Sequence, residues 1–417
     1  MPLHAQKRTH FRWTIIAILF FITIINYIDR ASIGYAINTI AREFNFSSET
    51  MGMILGAFGL GYIFTTFIGG LAADKYGVKR TLIISTLFWG VATALTGLSH
   101  GFMILFISRI ILGLAEGPSF PSIGRAISDW LPERERNRAL SYALIAVPLS
   151  LAIGGPITSQ LILLFTWRGT YFILAGISLL WIPVWWLLFR DNPAESKHVN
   201  ALELACIQKN PIIHNQLNNG PSIWRFLLLN KTLLANNWAF FVFGFYLFFF
   251  MTWLPSYLDT IYHIKLAKVG LYTVFPWLLA AIMMWGVGTL SDSIFNKTGS
   301  LRYSRSYPIL LSQLLAALCI VPITFVHSAN LALLFISLAV GFSMCANAAF
   351  FAVAVDIAKN RTGTAIGIME AVFALSGFLS PIMTGFIVSW SSYSAVFWLL
   401  AILALSSVMI TAVFHNR

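Results

Sequence analysis

Apolar residues in this chain come in long unbroken runs separated by short polar breaks, with little of the single-residue alternation that marks a half-buried strand. A hydrocarbon core about 30 Å thick takes roughly 20 apolar residues as a helix. Twelve runs meet that length, near 13–38, 50–72, 81–100, 102–126, 139–165, 168–189, 232–257, 267–290, 307–326, 329–355, 362–388 and 393–414. Gly and Pro interrupt the fourth, fifth and eleventh, which spanning helices tolerate when neighbours re-satisfy the backbone. The pattern predicts an all-α membrane protein with twelve transmembrane helices.

Composition agrees: 58% of the 417 residues are hydrophobic and 10% charged, against about 25% charged in soluble domains. A mean hydropathy of +0.79 leaves no stretch for a separate soluble domain. The net charge of +12 does not point to nucleic acid, because 21 of the 27 Lys and Arg fall in alternate breaks. Only Arg42, Arg168, Lys265 and Lys268 fall in the other breaks, which places both termini in the cytoplasm. The first run is too long for a signal peptide and reads as a retained helix. Cys206, Cys319 and Cys345 show no paired spacing and read as packing residues, so neither disulfide nor metal site is expected.

A polar interval after the sixth run divides the chain into a six-helix half at 1–189, a cytoplasmic linker at 190–231 and a second six-helix half at 232–417. Two related halves are a transporter architecture. Gly70-Leu71-Ala72-Ala73-Asp74 at the end of the second run echoes Gly288-Thr289-Leu290-Ser291-Asp292 at the end of the eighth, the equivalent place in the other half.

Gly70…Asp74-Lys75-Tyr76-Gly77-Val78-Lys79-Arg80 resembles the signature of the major facilitator superfamily. Closer likeness is to its anion:cation symporter group, which includes hexuronate, galactonate and glucarate transporters. It rests on Asn26-Tyr27-Ile28-Asp29-Arg30-Ala31, Ser108-Arg109 through Gly113-Leu114-Ala115-Glu116-Gly117, Asp129-Trp130-Leu131-Pro132, Trp167-Arg168 and Trp253-Leu254-Pro255-Ser256-Tyr257-Leu258. The resemblance implies a gate at one end built from Gly70, Asp74, Lys75 and Gly77, with Arg136 and Asp292. Here glycine lets helices approach and the aspartate caps a helix end or pairs with a basic residue.

Charged side chains within a span cost about 2.5–3.5 kcal/mol each at a helix centre and face a cavity or a partner. Five stand out: Asp29, Arg30, Arg109, Glu116 and Glu370. Asp29 and Arg30 lie about 100° apart on a helix, and both can border a wide cavity or bridge helices as a structural pair. Arg109 and Glu116, seven apart, share a face at roughly 10 Å along the axis, too far for a direct pair. The resemblance implies that Asp29 and Glu116 titrate, that Arg30 contacts a substrate carboxylate and that Arg109 tunes Glu116. A guanidinium matches a carboxylate through two parallel hydrogen bonds.

Glu370 departs from the group's pattern: Gly363…Gly367-Ile368-Met369-Glu370 carries a carboxylate where asparagine is usual, and Ala374 replaces a second polar residue. It either contacts substrate or serves as a structural partner. Tyr27, nearly on the face of Arg30, either holds a ligand oxygen or packs. Trp253, Tyr257 and Tyr246 either line the cavity or anchor their helix at an interface, with anchoring favoured for the first two, and Asn236 and Asn237 read as caps or interface residues. His100, His263 and His327 fall at span ends and take no proton role.

The expected function is proton-coupled uptake of a small organic carboxylate by alternating access in the cell inner membrane, by a monomer without cofactor. The proton gradient supplies the energy, since no GxxxxGK[ST] is present. Uptake of an amino acid or zwitterion, which Arg30 and Glu370 would suit, and efflux of drugs or metabolites stay open. No nucleophile constellation or HExxH spacing supports an enzyme.

Overall fold

The computed structural model describes residues 7–208, 229–358 and 362–415, apart from the side chains of Phe67, Asn137 and Asp292. Every long element is a helix. Among the described residues ten helices are long and apolar enough to cross a membrane, and the pair Ser48–Thr66 and Ile68–Tyr76, bent by 45°, adds an eleventh. Glu133–Leu188 counts once among the ten but is two passes. Its 56 residues would run about 84 Å if straight, and Thr166 breaks it with a non-helical φ of 63° and ψ of 169°. Arg168 then meets Glu43 at 2.6 Å, at the far end of the first pass, Phe11–Phe44. Glu135 and the Arg190 carbonyl lie back at the near end, beside Arg12 and Trp130.

The twelve passes are therefore Phe11–Phe44, Ser48–Tyr76, Val78–Gly97, the broken Phe102–Trp130, the two parts of Glu133–Leu188, Lys231–Tyr262, Leu266–Thr298, Arg302–Phe325, Ala329–Ala358, Thr362–Trp390 and Tyr393–Phe414. They extend the apolar runs by a few residues because polar ends such as Asp74 and Glu133 still satisfy helical backbone. The fourth pass breaks at Gly117 and Pro118. There Pro118 and Pro121 offer no N–H to the carbonyls of Leu114 and Gly117.

One end of the bundle holds the gate motif, and we call it the basic end. At the opposite end the first six and last six passes are joined. Tyr35 and Thr273 hydroxyls share a 2.8 Å hydrogen bond. Asn38 donates to Asp259 and accepts from Ser256. The second and eleventh passes touch backbone to backbone: a Cβ on Gly59 would lie 2.2 Å from the Phe378 nitrogen, so only glycine permits that approach. At the basic end the two halves part around a cavity lined by Leu140, Ser141 and Leu144 of the fifth pass on one side and by Gly288, Ser291, Arg305, Cys345 and Asp356 of the eighth to tenth passes on the other. Its volume is about 270 Å³. The bundle is closed at one end and cleft at the other.

Candidate functional site

The first pass carries Asn26, Asp29 and Arg30 one turn apart, each buried. Arg30 turns toward the fourth pass. Its Nε and Nη2 donate to Glu116 Oε2 at 3.0 and 2.8 Å, and Nη2 also reaches Asn26 Oδ1 at 3.2 Å. The rings of Tyr27, Phe58 and Tyr62 surround its guanidinium at 4.5, 4.6 and 5.0 Å, a cation–π box in which water is replaced by aromatic faces. Arg30 and Glu116 are 1% and 0% exposed. Even so, Arg30 Nη1 and Glu116 Oε1 have no partner among the described residues.

Asp29 points elsewhere. Its Oδ2 accepts from Trp89 Nε1 and Thr93 Oγ1 of the third pass, inside the first six passes, and Asp29 lines neither the cleft nor the junction described below. Arg30 lines neither space either and lies behind the Tyr27 and Tyr62 rings, so the two neighbours do not border one cavity. Arg109 and Glu116 sit on one face as their spacing predicts, but Glu116 pairs with Arg30. Arg109 Nη2 donates to the Arg30 carbonyl at 3.4 Å, and its Nε and Nη1 are unpartnered among the described residues.

Where the halves meet above the cleft, Tyr27, Tyr62 and Phe120 face Phe240, Phe243, Asn347, Phe351, Glu370 and Phe373. About 30 Å³ is left between them, enough for a water or two. Leu144 and Phe351 line both this space and the larger cleft, so the one leads into the other. Tyr27 and Glu370 therefore line one space, with Arg30 behind the Tyr27 and Tyr62 rings. Among the described residues Glu370 makes no hydrogen bond or ion pair, and Asn347 Oδ1 accepts none.

At the basic end Asp74 pairs with Arg125 at 2.6 Å, and Arg125 pairs with Asp129 at 2.8 Å. Arg136 instead donates to the carbonyls of Leu131 and Ser128, and Lys75 lies over the ring of Tyr76 at 5.2 Å. The Asp292 side chain lies outside the described residues. Gly77 needs its residue type twice over: its φ is +85°, and a Cβ would fall 2.7 Å from Asp191, whose carboxylate accepts from the Lys79 amide at the start of the third pass. A Cβ on Gly70 would make only an ordinary contact with Pro121, 3.7 Å away; the close approach belongs to Gly69, against Pro118.

Several residues escape sequence reading. Arg125 occupies the place expected of Arg136. Trp89, Thr93 and Asn347 are neutral and carry no signal in an apolar run. Asn236 is a buried donor to the Phe350 carbonyl, not a cap; Asn230 caps that helix. Trp253 and Tyr257 are buried in the bundle instead of lying at its interface, and Tyr246 bonds the Leu400 carbonyl away from both cavities. Arg12, counted with the loop charges, is 1% exposed and holds Glu135 at 2.8 Å and Glu203 at 2.9 Å.

The profile of the Major Facilitator Superfamily matches residues 19–301 and 293–417. A probable sulfoacetate transporter of Cupriavidus necator is 32% identical over 92% of this chain and 89% of its own. A hexuronate transporter of Bacillus subtilis is 31% identical over 90% and 87%. Among solved structures, a bacterial homologue of the human lysosomal transporter Spinster superposes with a TM-score of 0.76 over 97% of this chain and 96% of that one, at 15% identity. The chain belongs to the Major Facilitator Superfamily and is a multi-pass membrane transporter, not an enzyme.

Proposed function

We propose that the protein takes up a small organic carboxylate together with protons, by alternating access, across the cell inner membrane. The buried Arg30–Glu116 pair carries this reading. A substrate carboxylate and Glu116 compete for one guanidinium. A proton on Glu116 weakens its claim on Arg30 and frees the fork for substrate; loss of that proton restores the pair and expels substrate. Proton and substrate thereby raise each other's affinity, as linkage requires. Asp29 is the second proton site, and Arg109, fixed to the Arg30 carbonyl, sets the field between the two carboxylates.

In this reading the basic end is cytoplasmic, as the distribution of Lys and Arg indicates, and the halves at 1–189 and 232–417 rock about the junction with 190–231 as linker. A cleft open at the basic end, a paired Arg30 and a contracted junction fit the state that follows release. Asp74, Arg125 and Gly77 belong to the gate at that end. The names of two relatives, a sulfoacetate and a hexuronate transporter, both denote carriers of organic anions and support the substrate class.

Proteoliposomes test it. Uptake of a labelled carboxylate should rise with an inward proton gradient and collapse with uncoupler. Uptake indifferent to both would sink the proton-coupled reading.

A further inference from the structure

The wall across the junction from Tyr27 and Tyr62, the rings in front of Arg30, is almost free of groups able to serve hydroxyls. Phe240, Phe243, Phe351 and Phe373 form a continuous aromatic surface, with Phe373 5.3 Å from Phe240 and 6.0 Å from Phe243, and Phe240 5.7 Å from Phe351. Its polar members are Glu370 and Asn347. Both present acceptors: the Glu370 carboxylate makes no hydrogen bond or ion pair among the described residues, and Asn347 Oδ1 is buried without a donor. A buried acceptor without a donor, as Asn347 Oδ1 is among the described residues, calls for a partner that brings one, and the part-buried Glu370 beside it is open to the same partner.

Charge at Glu370 points the same way. A second anionic or hydroxyl-rich end of a ligand gains no ion pair at the Glu370 carboxylate, whereas an ammonium there is paired by a charge-assisted hydrogen bond.

On the reading that Arg30 holds a carboxylate, we infer that the substrate is an amino-carboxylate with an apolar, best an aryl, body: the carboxylate on Arg30, the body against the phenylalanine wall and the ammonium on Glu370 and Asn347. To enter, any ligand must part the rings that now fill the junction. An aryl body restores the ring contacts it displaces, whereas the hydroxyls of a sugar acid would lose water and find few partners.

The purified full-length protein is titrated with phenylalanine, alanine, phenylacetate and glucuronate, with binding read by thermal shift. Phenylalanine should bind tightest, about tenfold or more ahead of phenylacetate, because a charge-assisted hydrogen bond is at stake. Glu370→Gln should reverse that order, and Phe373→Asn should weaken phenylalanine while narrowing its lead over glucuronate. Either variant is read only as folded protein by size-exclusion chromatography, so each serves if the other fails to fold. Glucuronate binding tightest in an Arg30-dependent way would overturn this inference and leave carboxylate transport standing. Binding of none of the four, or binding unaltered by Arg30→Lys, would remove the carboxylate reading and this inference with it.

Discussion

Arg30 directs both of the hydrogen bonds it gives Glu116 to a single oxygen: Nε and Nη2 meet Oε2 at 3.0 and 2.8 Å. A side-by-side fork would engage both oxygens. Here Oε1 and Nη1 have no partner among the described residues. A buried unsatisfied polar atom costs about 1–3 kcal/mol, so the pair is held in an arrangement that a proton on one side and a carboxylate on the other can improve.

Glu116→Gln should therefore separate binding from coupling. The neutral amide no longer competes as an anion for Arg30. Substrate affinity should lose its dependence on pH, counterflow should continue, and accumulation driven by a proton gradient should disappear. Arg30→Lys keeps the charge and loses the fork; affinity should drop about tenfold or more. Arg30→Ala strands Glu116, and breaking a buried pair costs about 3–5 kcal/mol, measurable as a lower melting temperature. Counterflow lost together with accumulation in Glu116→Gln would assign Glu116 to binding instead.

Glu203 supports a pH prediction from outside the membrane. It lies in the linker helix Ala201–Gln208 and caps the first pass, accepting from the amides of Phe11 and Arg12 at 3.0 and 3.1 Å. No side-chain cap comes from His10. Burial pushes the Glu203 carboxyl up, but bonds from Thr9, from Arg12 and from the Phe11 amide outweigh it and hold it below its ordinary 4.5. A depressed folded value means the stabilisation is fully present above the unfolded value and is lost as pH falls through the folded one. The melting temperature of Glu203→Gln should lie below wild type at neutral pH, and the gap should close under acid conditions below 4.5. A gap constant down to the lowest pH would show that the charge contributes nothing.

The passes and the charged candidates were legible because bilayer physics writes them in plain hydropathy: twenty apolar residues make a span, and a charge inside one must have a reason. Partner choice was not. Seven-residue spacing put Arg109 and Glu116 on one face, yet the rotation of the first pass, set by Trp89 and Thr93 gripping Asp29, swings Arg30 onto Glu116. The linker looked featureless because the Glu203 cap joins residues 191 apart, and no local pattern encodes such a pairing. Gly70 was named where Gly69 makes the contact: adjacent glycines are equivalent in sequence and about 100° apart on a helix.

At the gate, Asp74, Arg125 and Asp129 are 61%, 35% and 27% exposed. Exposed pairs are worth about 0–1 kcal/mol, so Arg125→Ala should barely change the melting temperature. Its effect should fall on turnover, because Asp74 loses the partner that positions it in the cleft-open state. Uptake rates at saturating substrate should fall while affinity holds. A drop in affinity with unchanged turnover would detach Arg125 from the gate.

The contact between Gly59 and Phe378 sets how firmly the opposite end closes. A Cβ there meets the Phe378 nitrogen at 2.2 Å and the Gly377 carbonyl carbon at 2.4 Å, both backbone atoms that cannot rotate away. Overpacking of this kind costs about 1–3 kcal/mol, and the cost falls only on the state in which the second and eleventh passes touch. Gly59→Ala should therefore shift the population toward opening at that end, by about a factor of ten for each 1.4 kcal/mol. Thr273, 1% exposed and bonded to Tyr35 where the fifth and eighth passes meet at the same end, reports whether that end opens. In a background with Cys206, Cys319 and Cys345 replaced by serine, Thr273→Cys should react with a thiol reagent several-fold faster when Gly59→Ala is added. Both proteins lack the Thr273 hydroxyl, so the difference between them isolates the helix contact. Equal rates would mean that the second and eleventh passes can absorb a methyl group without parting.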